Sequence, residues 1–143
     1  MSGILVCVIA ALAMMAIDKF YDARNSYESR VENGDPVFNI RHQGAPWLKD
    51  PQQTAIEYVT PDSVDACRRL DVNPVSIQAR EAVIVLTANC GDDATSEVRY
   101  RVELIRKGDE WEVAWVGRKQ RCSRVGPWGH LQGVGGWTTQ PCP

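Results

Sequence analysis

A chain of 143 residues with a formal net charge of -2 has room for one domain of ordinary size beside a short extra segment. It lacks the overall basic field that draws a whole molecule to nucleic acid, so no nucleic-acid partner is expected. The charge is uneven, because residues 18–98 carry 8 basic and 14 acidic side chains and residues 99–124 carry 8 basic and 4 acidic, and one end of the domain should be locally positive.

Residues 3–17 hold no charged side chain and are almost wholly apolar, from Ile4 and Leu5 to Met14 and Met15. As a helix this run rises only about 22 Å against a hydrocarbon core of about 30 Å. Lys19 can snorkel to the interface and Phe20 and Tyr21 suit the aromatic belt, which makes residues 1–21 long enough to span a bilayer. The rivals are a cleavable signal peptide, with Ala11, Leu12 and Ala13 as its small-residue site, and a buried core helix. No Lys or Arg precedes the run, which favours a retained single-pass anchor with the lipid bilayer as a partner. Lys19 and Arg24 just after the span argue for a cytoplasmic domain; the cysteines argue the other way.

Phe20, Ala23, Tyr27 and Val31 recur at spacings of three and four, so the anchor is expected to continue as an amphipathic helix through residues 18–32. Asn33, Gly34, Asp35 and Pro36 read as its stop. That divides the chain into residues 1–33, the transmembrane anchor and its extension, and residues 34–143, the extracytoplasmic domain. Residues 43–53, with Trp47, read as a loop, and residues 54–59 as a short strand. Residues 61–70 read as a short helix, with Thr60 as N-cap, Pro61 in the first position and Asp62 and Asp65 near the positive end of its dipole.

Strands follow. An extended stretch begins at residues 75–77, and residues 82–88 are apolar on both faces, as in a strand buried within a sheet. Gly91, Asp92 and Asp93 make a turn. Val98, Tyr100, Val102 and Leu104 alternate with Arg99, Arg101 and Glu103, and Trp111, Val113 and Trp115 alternate with Glu112 and Ala114. Gly108 and Asp109 join them as a hairpin. From Cys122 onward Gly126, Pro127, Gly129, Gly133, Gly135, Gly136, Pro141 and Pro143 forbid regular structure. Trp128, Leu131 and Trp137 can still bury area there, so an ordered loop packed on the sheet is expected. The fold class is α+β, a small antiparallel-sheet domain with a disulfide-stapled C-terminal loop.

Outside the anchor lie Cys67, Cys90, Cys122 and Cys142, with Cys7 a small apolar residue inside it. None forms a close pair, and His42 and His130 supply no second one, so no metal is expected. Four cysteines allow three connectivities. The favoured one joins Cys67 to Cys90 and Cys122 to Cys142, each closing a loop for which chain entropy gives about 3 kcal/mol. Free thiols in a cytosolic protein are the alternative. Bridges place the domain in a periplasm or other extracytoplasmic space.

The run from Tyr100 to Trp115, a strand, a charged turn and a strand opening with tryptophan, together with the strand at 82–88, resembles the last strands of NTF2-like domains. These are cone-shaped α+β domains that include membrane-anchored VirB8-type periplasmic ones. The resemblance implies an NTF2/cystatin-like fold rather than one activity, because such domains serve as enzymes, ligand pockets and assembly scaffolds. No catalytic motif carries over onto residues of this chain.

Gly126 to Gly136 lacks the Lys and Ser or Thr of a phosphate loop, and Asp92 and Asp93 read as solvated turn residues. His42, beside Arg41 and near Asp50, is the candidate acid or base. Arg118, Lys119, Arg121 and Arg124, near Trp115 and Trp128, form the sharpest charge cluster, read either as a solvated sheet end or as a docking surface for an acidic partner. Three functions are therefore expected in order: a non-catalytic accessory or assembly subunit of a membrane complex, binding other subunits through Arg118, Lys119, Arg121, Arg124 and Trp128 and needing no cofactor; a small-ligand-binding domain with a pocket of Tyr58, Tyr100 and Trp115; and an enzyme using His42 or His130.

Overall fold

The structure, a computed structural model, describes residues 23–63, 67–90, 95–123 and 136–142. Within them the chain forms one antiparallel sheet of six strands: β1 (Glu28–Val31), β2 (Cys67–Ile77), β3 (Glu81–Cys90), β4 (Thr95–Lys107), β5 (Glu110–Cys122) and β6 (Trp137–Thr138). Two short α-helices accompany it, α1 (Pro36–His42) and α2 (Pro51–Ser63). The expected α+β, NTF2/cystatin-like architecture is thus corrected to a mainly β one. No helix among the described residues is long and apolar enough to cross a membrane. The predicted span at residues 3–17, the turn at Gly91, Asp92 and Asp93, and residues 124–135 of the tail lie outside the described residues.

The first correction is local. Where residues 18–32 were expected to be helical, the described part makes a 3-10 turn at Arg24–Ser26 and then β1, antiparallel to β5. The reason is tertiary: a short polar helix is marginal alone, whereas here Tyr27 buries its ring edge-on to Trp115 at 6.5 Å and β1 satisfies backbone groups of β5. The expected stop at Asn33 to Pro36 is a start. Asp35 Oδ1 accepts from the Phe38 N–H at 2.9 Å and Pro36 opens α1, so the same residues cap a helix rather than end one. Gly34, at φ +83°, turns the chain so that its N–H donates to the Ala114 carbonyl at 2.8 Å.

The second correction is α2, which replaces both the strand expected at 54–59 and the helix expected at 61–70. Asp50 Oδ1 accepts from the N–H groups of Gln52 (2.8 Å) and Gln53 (3.0 Å), and the Thr54 hydroxyl donates to the Asp50 carbonyl at 2.8 Å. Those bonds start the helix ten residues before the expected cap, Thr60, whose hydroxyl instead donates back to the Ile56 carbonyl within α2. Ala55 and Val59, one turn apart, bury completely on the sheet. β2 then begins at Cys67, well ahead of the stretch expected from residue 75.

The strand order is β1-β5-β4-β3-β2, with β6 also paired to β5. β4 alternates as its sequence indicates, burying Val98, Tyr100, Val102 and Leu104. β5 does not. Its register passes from Glu103 opposite Trp115 to Leu104 opposite Val113, which leaves Ala114 as an extra, bulged residue. Trp111, Val113 and Val116 consequently join Ile84, Leu86, Val102 and Leu104 in the core under α2. Trp115, expected to share the face of Trp111, turns to the other. Beyond the bulge Arg118 and Gln120 follow Val116 towards the helix, and Gly117, Lys119 and Arg121 follow Trp115 away from it.

At the hairpin turn Lys49 Nζ meets Asp109 Oδ2 at 3.0 Å, and that hydrogen bond, with the ammonium charge behind it, lowers the Asp109 carboxyl below its ordinary range. Both groups are well exposed, so the pair adds little stability. Cys122 and Cys142 are bridged, tying the end of the chain to β5. Cys90 is also disulfide-bonded, and the register of β2 on β3 sets Cys67 opposite it. Peptide mapping without reduction is expected to recover Cys67 joined to Cys90; a peptide joining Cys90 to Cys7 instead would refute that pairing.

Candidate ligand pocket

The basic cluster of β5 is split by strand alternation. Lys119 is 3 % exposed, its ammonium 4.2 Å from the Tyr27 ring centre and 3.4 Å from the Ser26 hydroxyl. Arg121 stacks on Trp137 at 5.0 Å and pairs with Glu97 at 2.9 Å; Arg99 covers the same tryptophan at 4.3 Å and donates to the Thr87 hydroxyl. Arg24 lies over Trp115 at 4.6 Å. Cations and rings thus alternate along this face, with Arg24, Arg99, Lys119 and Arg121 set on aromatic electron density of the same chain. Of the residues expected to form one docking surface, Lys119 is buried, Arg121 is stacked, and Arg118 points to the opposite face. Arg124 and Trp128 lie outside the described residues.

Arg118 reaches a pocket of about 550 Å³, lined among the described residues by Arg30, Val31, Tyr58, Val59, Tyr100, Val116 and Arg118. Two of the three aromatic residues expected around a ligand, Tyr58 and Tyr100, are there. The third, Trp115, is displaced by the bulge at Ala114, and Val116 and Arg118 stand in its place. A second bulge supplies the second guanidinium. β1 pairs Ser29 with Gly117 and then Val31 with Val116, so Arg30 is the extra residue, and both Arg30 and Val31 turn to the pocket.

Two of the lining side chains, Tyr58 and Arg118, are held by hydrogen bonds. The Tyr58 hydroxyl donates to Asp35 Oδ2 at 3.0 Å, so the carboxylate that caps α1 with one oxygen positions Tyr58 with the other. Arg118 Nη2 donates to Gln120 Oε1 at 3.0 Å, and Gln120 Nε2 donates to the Gln140 carbonyl at 2.8 Å. Gln140 lies two residues before Cys142, which is fixed to Cys122. Among the described residues neither Arg30 nor Arg118 has a carboxylate within ion-pair distance, although Glu28 stands opposite Arg118 in the β1–β5 register. The arrangement offers a site for negative charge, with Val31 and the Tyr58 ring part-exposed beside it.

The sequence signal for Arg118 was its place in the basic cluster, and for Tyr58 and Tyr100 their aromatic character; nothing in the sequence marked Arg30, which depends on a bulge. His42 packs against Phe38 at 4.7 Å and Trp47 at 5.3 Å, inside an aromatic cluster and away from the pocket. His130 lies outside the described residues. No group of three or more His, Cys, Asp or Glu side chains suited to a metal occurs among the described residues. A second groove, about 510 Å³, runs between α1 and the β4–β5 hairpin, with Ile40 74 % exposed and Ile105 beside it.

Comparison of the chain with protein-family models, with characterised proteins and with solved structures finds no match, and nothing in it identifies an NTF2-like or VirB8-type domain.

Proposed function

We propose that this chain is a non-catalytic binding domain of an oxidising compartment, and that it recognises a negatively charged ligand in the pocket of Arg30, Tyr58, Tyr100 and Arg118. The observation that carries the reading is the convergence of two guanidinium groups, from two different strands, on one pocket whose described lining holds no acidic side chain. Arg24, Arg99 and Arg121 are set on rings and Arg101 is paired with Glu103, whereas Arg30 and Arg118 face a cavity. The Cys122–Cys142 bridge supports the compartment, because disulfides persist where thiols are not kept reduced. The same domain serves as an accessory subunit if the ligand is carried by a partner in a membrane complex, and the exposed Ile40 and Val37 beside the second groove favour that extension.

The test is native mass spectrometry of the full chain isolated without denaturation from the cells that make it. The wild type is expected to carry an anionic ligand or partner that the variant Arg30→Met/Arg118→Met loses. If both proteins carry the same species in the same amount, the pocket is not where binding occurs.

A further inference from the structure

The lining of the pocket says more about its ligand than the sign of its charge. Val31 and the Tyr58 ring, both part-exposed, present apolar surface over a buried floor of Val59, Val116 and Tyr100, while Arg30 and Arg118 are the charged groups among the described lining residues. A bare inorganic anion would satisfy the guanidinium groups and leave Val31 and the Tyr58 ring in water. A neutral hydrocarbon would cover them and leave the guanidinium groups without a counter-charge. A volume of about 550 Å³ falls within the range of small-molecule sites.

We propose that the pocket takes a small amphipathic anion, its apolar body against Val31 and the Tyr58 ring and its carboxylate or sulfonate head between Arg30 and Arg118, with Gln120 as the residue that positions Arg118 for that head. This rests on the reading of the pocket as an anion site. Gln120 is 7 % exposed and has its two amide ends committed, one accepting from Arg118 and the other donating to Gln140. A long arginine side chain loses rotamer freedom when it binds. Here part of that loss is taken on folding, because the Cys122–Cys142 bridge fixes the segment that holds Gln140, Gln140 fixes Gln120, and Gln120 fixes Nη2 of Arg118. Arg118 keeps its remaining donors for the ligand head.

The experiment is calorimetric titration of the oxidised full chain with decanoate, with decanol as the uncharged counterpart and inorganic phosphate as the bare anion. Decanoate is expected to bind one per chain, at least about ten-fold more tightly than decanol or phosphate, the worth of a charge-assisted hydrogen bond. Arg118→Met should remove that margin. Gln120→Met should weaken decanoate about three- to ten-fold and leave decanol unchanged, as loss of one orienting hydrogen bond requires. The Cys122→Ser/Cys142→Ser variant should behave as Gln120→Met does; if it fails to fold, Gln120→Met with an unchanged circular dichroism spectrum decides alone.

Phosphate binding as tightly as decanoate would overturn the amphipathic class and leave the anion pocket standing. An equal loss for decanoate and decanol in Gln120→Met would make Gln120 a packing residue and overturn its positioning role. No decanoate binding, with a native ligand still lost by Arg30→Met/Arg118→Met, would refute the ligand class alone. No decanoate binding and no such loss would refute both readings.

Discussion

Gly117→Ala is expected to lower the thermal unfolding midpoint by roughly 10 °C, the equivalent of about 3 kcal/mol for a chain of this size. A Cβ at position 117 would lie 2.2 Å from Trp115 Cη2 and 2.6 Å from Tyr27 Cβ, both far inside contact distance. Neither neighbour can retreat cheaply. Trp115 is 4 % exposed, with Arg24 over its ring and Tyr27 against it, and Tyr27 Cβ sits on the backbone that leads into β1. Moving Tyr27 also disturbs Lys119, whose ammonium would lose the ring that accompanies its burial. Because β1 carries Arg30, the same variant should weaken ligand binding in the pocket on the other face. Circular dichroism melting and decanoate titration read the two effects, and an unfolding midpoint within about 2 °C of wild type would show that no ring covers Gly117.

The second large effect is expected from Cys122→Ser/Cys142→Ser. The bridge closes a loop of sequence separation 20, for which its removal costs about 3 kcal/mol. Among the described residues β6 pairs with β5 through Trp137 and Thr138 alone, too short a strand to stay on β5 without the covalent tie. Its loss would take Trp137 from beneath Arg99 and Arg121, leaving both guanidinium groups without the ring they share. The measurable signs are a fall of about 10 °C in the melting midpoint and a weaker near-ultraviolet aromatic dichroism signal. An unchanged melting midpoint would mean that β6 is held by something other than the bridge.

How far the sequence was readable depends on the range of the interactions that decide each element. The β4–β5 hairpin was legible because alternation in Val98, Tyr100, Val102 and Leu104 is a local pattern and Gly108 supplies the positive φ of its turn. The Cys122–Cys142 bridge was legible from cysteine spacing and parity. α2 was not, because the β-branched Thr54, Ile56 and Val59 suit a strand, while the helix is started by the Asp50 carboxylate and rewarded by the burial of Ala55 and Val59 against a distant sheet. The segment at Arg24 to Val31 was misread for the same reason: its spacing fits a helix, and its partner, β5, is more than eighty residues away in the chain.

The pocket divides in the same way. Period-two alternation alone separates Arg118 from Lys119 and Arg121, so the cluster could have been split between two faces from the sequence. Which face each would take could not, because the bulge at Ala114 reverses the phase set by Trp111 and Val113. Arg30 was invisible for a related reason, since its inward turn follows from a bulge that exists only when β1 meets β5.

Ligand binding is expected at the Arg30–Arg118 pocket and not at the cation–aromatic face or the groove beside α1. Amide NMR spectra of the isotope-labelled full chain, titrated with decanoate, test it most directly. The expected result is a set of shift changes centred on Arg30, Val31, Tyr58, Val59, Val116 and Arg118, with smaller ones relayed to Gln120 and Gln140. Changes centred instead on Arg99, Arg121 and Trp137, or on Ile40 and Ile105, would contradict it.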